Sequence, residues 1–183
     1  HLFGGKKVSL QLGFDYDVGS MNLSDGINQL SVSGVQEKLS AIVADGKVIL
    51  TPCGESGQYI IKPVPAYRHL RFRDQMPANE HLTMQIARQV YGIKTAENGL
   101  IFFKNGEPAY ITRRFDYDAD GNKIKQEDFS SLAHKTFLTH GSDFKYTGSY
   151  ANVAAVLRAN VGAWQVEMGR FFTLVVFNYL FAN

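Results

Sequence analysis

Residues 29–38 read Gln-Leu-Ser-Val-Ser-Gly-Val-Gln-Glu-Lys, and residues 59–63 read Tyr-Ile-Ile-Lys-Pro. The first segment is a loop of small residues that ends in a lysine, and the second is a short apolar strand that carries another lysine. Backbone N–H groups of a serine–glycine loop can surround phosphate oxygens, and the ammonium groups of Lys38 and Lys62 offset the phosphate charge. Together the two segments predict a β-rich lobe that binds a triphosphate.

The loop contains six candidate phosphate-binding residues. Gly34 lets the backbone come close to a ligand, Gln36 can donate a side-chain amide, and Lys38 supplies charge. Small-residue loops are also common as ordinary turns before a strand, with the lysine in solvent, and spacing alone leaves both interpretations open. The candidates are Ser33, Gly34, Val35, Gln36, Glu37 and Lys38.

Composition excludes several classes of site. The 183 residues carry a formal net charge of +2, which gives no bulk electrostatic argument for binding nucleic acid or a membrane. Cys53 is the only cysteine, so an internal disulfide and a cysteine-based zinc site are excluded, and the five histidines show no metal-ligand spacing. The lack of disulfides and of a signal-peptide pattern predicts a cytoplasmic protein. The apolar run at 171–181 is too short and interrupted to span a membrane.

Hydrophobic patterning predicts strands in the first part of the chain and mostly helices in the second. Asp45-Gly46 signals a tight hairpin. In the first helix, Leu82, Ile86 and Val90 recur at four-residue spacing on one face, and Gly92 caps the end. The predicted strands cover residues 8–12, 39–44, 47–51, 59–62, 100–103 and 109–114. The predicted helices cover residues 77–91, 130–137, 149–159 and 165–181.

Lys62 needs a partner because it lies on an apolar strand between Ile61 and Pro63. Glu80, at the start of the following helix, can provide one. A strand lysine held by a helix glutamate positions nucleotide phosphates in kinases. Alternatively, Lys62 reaches solvent along its aliphatic stem and Glu80 is favoured only by the helix dipole.

The segment Arg113-Arg114-Phe115-Asp116 ends the second hairpin, where two lobes would meet. In one interpretation Phe115 packs against a purine ring while backbone groups bond the edge of the ring. In the other, an ion pair braces the strand end and Phe115 belongs to the core. Further on, Gln126-Glu127-Asp128 precedes a predicted helix and suits its N-terminal cap.

Six short motifs lie at residues 31–38, 60–63, 79–80, 114–116, 126–128 and 145–146. They read Ser-Val-Ser-Gly-Val-Gln-Glu-Lys, Ile-Ile-Lys-Pro, Asn-Glu, Arg-Phe-Asp, Gln-Glu-Asp and Lys-Tyr. In this order and rough spacing they resemble the HipA family, bacterial serine/threonine kinases of toxin–antitoxin modules. The resemblance runs from about Gln29 to Asn183, which is nearly the whole chain.

The resemblance implies an α+β, two-lobed, protein-kinase-like fold. A lead-in segment (1–28) would precede a β-rich nucleotide-binding lobe (29–115) and an incomplete helical lobe (116–183). It further implies that Ser33 to Lys38 form the phosphate-binding loop, that Lys62 is the nucleotide lysine and that Ser31 is an inhibitory autophosphorylation site. Ser33 stands where split family members carry a second phosphorylatable serine. Glu80 would complete the lysine pair, and Arg113, Arg114 and Phe115 would form the adenine-contacting hinge.

One departure concerns the hinge, since family members carry a glutamate where Arg113 stands, so a contact there would use the backbone. Another concerns catalysis. The family's Asp-x-His-x-Lys-Asn loop follows a helix like the one predicted at 171–181, and its metal-binding aspartate comes later still. We therefore expect a fragment of a longer kinase that is inactive as given, with the Mg²⁺ ligands beyond Asn183.

The resemblance implies transfer of the γ-phosphate of ATP to a serine or threonine of a protein, for which an aminoacyl-tRNA synthetase is a candidate because the family's targets include them. It also implies a DNA-binding antitoxin partner, with no direct nucleic-acid binding and no membrane binding by this chain. Two alternatives remain open: a non-catalytic module that binds a partner protein through the helix at 165–181, and a distant two-lobed nucleotide ligase.

Overall fold

The computed structural model describes residues 2–16, 36–52, 54–66, 70–118 and 120–181. Backbone packing divides the chain into two compact units, His1–Tyr117 and Asp118–Asn183. The first unit holds the strands and one α-helix, and the described part of the second unit is helical. The predicted α+β class is confirmed.

The strands are β1 (Leu39–Ala44), β2 (Lys47–Leu50), β3 (Tyr59–Lys62), β4 (Asn98–Phe102) and β5 (Pro108–Arg113). They form one antiparallel sheet in the order β2-β1-β3-β5-β4. Asp45 and Gly46 have φ values of 50° and 71°, the left-handed pair that a tight hairpin requires. These five predicted strands are confirmed, because their ends agree with the structure to within two residues.

The predicted strand at residues 8–12 is wrong. Gln11 forms only an isolated parallel bridge with Phe102. Two residues earlier, Ser9 N–H donates to Gly46 O at 2.8 Å, in the β1–β2 turn. This stretch therefore divides its backbone hydrogen bonds between two distant parts of the sheet and cannot form a continuous ladder with either.

The hydrophobic core lies between one face of the sheet and residues 2–16. Its buried members are Leu12, Tyr16, Leu39, Ala41, Val48, Tyr59, Ile61, Ile101, Phe103, Ala109 and Ile111. Because successive side chains of a strand point to opposite faces, Tyr59 and Ile61 enter this core while Ile60 and Lys62 belong to the other face. That alternation keeps the lysine out of the apolar interior.

The helices are α1 (Met76–Gln89), α2 (Phe129–Leu132), α3 (Phe137–His140), α4 (Tyr150–Asn160) and α5 (Trp164–Phe181). Helix α1 follows a single 3-10 turn at Arg73–Gln75 and packs on β4 and β5. The predicted cap is confirmed, since Gly92 has a φ of 64° and Ile93 N–H donates to Ala87 O at 2.9 Å.

The predicted apolar face of α1 is wrong. Leu82 and Val90 are exposed, and the residues that the helix buries are Pro77, Thr83 and Ala87. Thr83 and Ala87 lie four residues apart and are small, so α1 meets the strands through a narrow line of short side chains. The four-residue spacing was correct, but of the large apolar residues that showed it, Leu82 and Val90 point to solvent and Ile86 is only half-buried.

The single helix predicted at 130–137 is also wrong, because α2 and α3 are separate short helices. His134 between them has a φ of 55°, which a continuing α-helix does not allow. Asp128 caps α2 by accepting a hydrogen bond from Ser131 N–H, as the Gln-Glu-Asp pattern predicted. Thr136 begins α3 with a capping box of its own.

In the second unit, α4 packs on α5. Leu157 and Phe177 are the buried apolar residues of this pair. Helix α5 leaves most of its other apolar side chains exposed, namely Val166, Phe172, Leu174, Val176, Tyr179 and Leu180. Within the described ranges, none of the helices combines the length and apolar character needed to cross a bilayer.

Candidate functional site

Lys62 and Glu80 form an ion pair between β3 and α1. The Nζ atom of Lys62 lies 2.5 Å from Glu80 Oε1. The two side chains are 23% and 28% exposed, so the pair is sheltered but remains accessible from solvent. The predicted partner of Lys62 is therefore present, and the alternative of a solvated lysine is wrong.

Tyr110 completes the surroundings of Lys62. It lies opposite Lys62 in the β3–β5 register, and Lys62 Nζ is 5.3 Å from the centre of its ring, a cation–π distance. The ring is fully buried, and this burial, with the Glu80 charge second, raises the pKa of the Tyr110 hydroxyl. Sequence reasoning missed Tyr110, because only the pairing of β3 with β5 places it beside the lysine.

The described end of the candidate loop lies next to Lys62. Gln36 Nε2 donates to Pro63 O at 2.8 Å, and Lys38 Nζ donates to Gln36 O at 3.3 Å. Two residues later, Leu39 pairs with Ile61 in the β1–β3 ladder. The structure thus brings the loop end and the strand lysine together, while Ser31, Ser33, Gly34 and Val35 lie outside the described residues.

Glu37 is directed to a different part of the first unit. Its Oε2 accepts a short hydrogen bond from the Tyr16 hydroxyl. Burial raises the pKa of Tyr16, and the bond to the Glu37 carboxylate raises it further. This contact fastens the segment before β1 to the N-terminal residues that cover the core, so the position of Glu37 has a structural explanation.

At the end of β5, an ion pair braces the chain. The guanidinium of Arg114 contacts Asp116 through two hydrogen bonds, Nε to Oδ1 at 2.9 Å and Nη2 to Oδ2 at 2.6 Å. Arg114 N–H also donates to Gln58 O at 2.8 Å. The ion pair of the structural interpretation is therefore present, and bidentate geometry makes it a firm contact.

Phe115 does not belong to the core, so that part of the structural interpretation is wrong. Its side chain is 75% exposed, between two residues that are held in place. Arg113 pairs with Tyr59 in the register and therefore lies on the core face of the sheet, opposite to Lys62. Its backbone N–H donates to Glu97 O at 2.8 Å.

Comparison with known proteins identifies the family. A sequence model of the HipA-like C-terminal domain matches residues 30–183. The chain belongs to this family. The HipA resemblance read from the six motifs is thereby confirmed. No curated protein sequence matches the chain significantly.

A solved structure supports the fold of this HipA-like domain. HipA of the Shewanella oneidensis MR-1 toxin–antitoxin system, described in a complex with HipB and its operator DNA, superposes with a TM-score of 0.54. The two chains are 24% identical over a match that covers 86% of the HipA-like domain and 38% of the other chain. The chain thus spans well under half of that relative, and at this identity the likeness concerns the fold alone.

The surroundings of Lys62 in the HipA-like domain fit a phosphate group. An ammonium has three N–H donors, and one of them is directed at Glu80, which leaves donors for an anion that enters from the exposed side. A metal ion would find fewer suitable ligands among the described residues. Across the described ranges, no group of three or more His, Cys, Asp or Glu side chains gathers into a metal site.

Proposed function

We propose that this HipA-like domain holds the phosphates of ATP in a two-lobed serine/threonine kinase. The observation that carries the proposal is the Lys62–Glu80 ion pair beside the Gln36–Lys38 loop end. In protein kinases, a strand lysine paired with a helix glutamate positions the nucleotide phosphates. The lysine here lies on the third strand and the glutamate on the helix that follows it, in the same sequence order.

Each residue of the site then has a physical role. Lys62 directs its remaining N–H donors at phosphate oxygens, and Glu80 fixes the direction of the ammonium. Because Glu80 neutralises part of the Lys62 charge, the attraction for a triphosphate needs a second cation, which Lys38 supplies. The Tyr110 ring packs against the Lys62 side chain and so limits the rotamers that the lysine can adopt.

The remaining loop residues extend the proposed phosphate site. Backbone N–H groups from Ser33 to Gln36 would cradle the phosphates. A phosphate on Ser31 or Ser33 would place up to two negative charges in that loop and compete with the nucleotide, which makes phosphorylation an off-switch. Adenine would meet the exposed Phe115 ring, with backbone groups of Arg113 and Arg114 at its edge.

The proposed reaction needs groups beyond Asn183. A kinase requires a catalytic base and metal-binding side chains, and we assign the Mg²⁺ ligands and the Asp-x-His-x-Lys-Asn loop to sequence that follows this chain in the native protein. The nucleotide lobe would be 29–115, and 116–183 would begin the helical lobe. A cytoplasmic location, an antitoxin partner and an aminoacyl-tRNA synthetase substrate belong to this proposal through the family.

The test replaces Lys62 by Ala in the protein expressed at its native length. With labelled ATP, we expect phosphate transfer to fall by about a hundredfold or more, since a charge aimed at the transferring phosphates is lost. The matched control is Lys47→Ala, because Lys47 is an exposed lysine on β2 of the same sheet. Transfer that survives Lys62→Ala would remove the proposed role, and AMP transfer in place of phosphate transfer would indicate the ligase alternative.

A second candidate function is supported by the exposed apolar side of α5. Phe172 and Tyr179 are 67% and 86% exposed, as a helix that binds a partner protein would be. A native-length protein that binds no ATP and lacks an Asp-x-His-x-Lys-Asn sequence after Asn183 would favour this non-catalytic module. Calorimetry with ATP and Mg²⁺ on the native-length protein separates the two functions.

A further inference from the structure

Asn98 lies on the same face of the sheet as Lys62, one row of side chains away. The register places Lys62 opposite Tyr110 and Tyr110 opposite Leu100. Thr112, two residues after Tyr110 on β5, is the register partner of Ile60 on β3 and of Asn98 on β4. Asn98 is only 9% exposed, and α1 packs over this part of β4 and β5.

The hydrogen bonds of Asn98 determine which of its amide atoms faces α1. Its Nδ2 donates to Ala96 O at 2.8 Å, and since a carbonyl can only accept, this contact identifies the nitrogen. The oxygen, Oδ1, therefore faces the helix. It accepts a hydrogen bond from Gln85 Nε2 at 3.2 Å and lies 2.8 Å from His81 Nδ1. His81 must then carry its proton on Nδ1.

Two donors from successive turns of α1 thus converge on one buried oxygen of β4. Hydrogen bonds of this kind matter more for α1 than for a helix with a wide apolar face, because α1 buries only Pro77, Thr83 and Ala87. A helix held by a narrow line of small residues can rotate or slide at little cost in buried apolar area. The Asn98 contact opposes both movements.

We propose that Asn98 is a positioning residue for nucleotide binding, because it orients α1 so that Glu80 reaches Lys62. Glu80 directly precedes His81, so a rotation of α1 that breaks the His81–Asn98 contact also moves the Glu80 carboxylate. The ion pair has a 2.5 Å contact and tolerates little displacement. This inference rests on the proposed function, since it concerns how the Lys62–Glu80 pair is held in place for ATP.

The experiment measures ATP affinity of the native-length protein by calorimetry for Asn98→Ala, Glu80→Ala and the double variant. We expect Asn98→Ala to weaken ATP binding about fivefold, the equivalent of one net hydrogen bond. In the Glu80→Ala background the same change should have no further effect, because the residue through which Asn98 acts is absent. Equal weakening in both backgrounds, or none in either, would overturn the proposal.

The matched control is Arg88→Ala. Arg88 also links α1 to the start of β4, through a 2.8 Å ion pair with Glu97, but it lies two turns from Glu80. We expect ATP affinity to be unchanged in this variant. A loss of affinity equal to that of Asn98→Ala would contradict the proposal, because it would show that any weakening of the helix–sheet contact lowers ATP affinity.

Should Asn98→Ala fail to fold, His81 provides the second pair of variants. His81→Ala removes a donor, whereas His81→Asn keeps an amide N–H near the position of Nδ1. We expect the alanine variant to weaken ATP binding and the asparagine variant to restore most of it; equal affinities would contradict the proposal. If Lys62→Ala weakens binding while these variants do not, the proposed function stands and the role of Asn98 falls. If Lys62→Ala has no effect, both fall.

Discussion

Replacement of Gly57 by alanine tests the packing that supports β1 and β3. A Cβ atom at this position would lie 2.5 Å from Ala41 O and 2.5 Å from Ser40 Oγ, and closer still to Thr51 Oγ1. Real Cβ contacts are not found at such distances. Gly57 N–H also donates to Ser40 Oγ at 3.0 Å, and Ser40 Oγ donates to Thr51 Oγ1 at 3.1 Å. Both hydroxyl residues are buried.

The expected cost follows from these contacts. A side chain can rotate away, but Ala41 O belongs to the backbone of β1, which pairs with both β2 and β3. Overpacking of this kind costs about 1–3 kcal/mol. Loss of the Gly57–Ser40 hydrogen bond in a buried place adds about 1 kcal/mol. Alanine also lowers the conformational entropy of the unfolded chain, which offsets about 0.4–1 kcal/mol of this destabilisation. We therefore expect the free energy of unfolding of the first unit to fall by about 2–3 kcal/mol.

The assay must report on the first unit alone. Trp164 is the only tryptophan and lies in the second unit, so its fluorescence would follow the wrong part of the chain. Native-state hydrogen exchange of the β1 and β3 amides measures the stability of the first unit directly. The control is Gly13→Ala, which lies in the same unit and meets nothing within 4 Å. If the free energy of opening of these amides changes by less than about 0.5 kcal/mol in Gly57→Ala as well as in Gly13→Ala, the argument that a Cβ atom at Gly57 is overpacked is refuted.

Three further predictions concern other parts of the chain. Ile61→Ala, at a fully buried position of β3, should lower the free energy of unfolding by about 2–5 kcal/mol in chemical denaturation followed by circular dichroism of the sheet. Phe115→Ala should leave the melting temperature unchanged because its ring is exposed, yet weaken ATP binding about tenfold if the ring stacks on adenine; calorimetry with an unaltered affinity would contradict the hinge role. Hydrogen bonds from the Ser130 hydroxyl and Ser131 N–H lower the pKa of Asp128 from 3.8 to about 2, so its stabilising effect is complete above about pH 4 and is lost as the pH falls towards 2. Asp128→Asn should reduce the loss of helical circular dichroism between about pH 4 and pH 2. An unchanged loss in this variant would show that groups other than Asp128 cause it.

The Lys62–Glu80 contact could be predicted because both residues stood out in their local sequence. A lysine inside an apolar strand requires a partner, and a glutamate near the start of the next helix is the nearest candidate along the chain. Tyr110 and Asn98 had no comparable signal. An aromatic residue and an asparagine at strand positions are ordinary, and their relation to Lys62 arises only from the pairing of β3 with β5 and of β5 with β4.

The errors share a physical cause with those omissions. Leu82 and Val90 follow the spacing of a buried helix face, but the close approach of α1 to the strands selected Thr83 and Ala87 instead. The run at 130–137 has no strong helix breaker, and His134 interrupts it with a positive φ. Phe115 is an apolar residue at a strand end, and the ion pair of its neighbours leaves it in solvent.

Neighbouring residues along the chain were thus sufficient to define the five strands of the sheet, the Asp45-Gly46 hairpin, the caps at Gly92 and Asp128, and the family. Alternation, turn conformation and capping depend on contacts within a few residues, which a linear pattern records. The strand order, the face on which Arg113 lies and the two-donor contact at Asn98 depend on pairings between segments far apart in sequence. Those pairings are chosen by how whole elements pack, so they emerged only with the folded molecule.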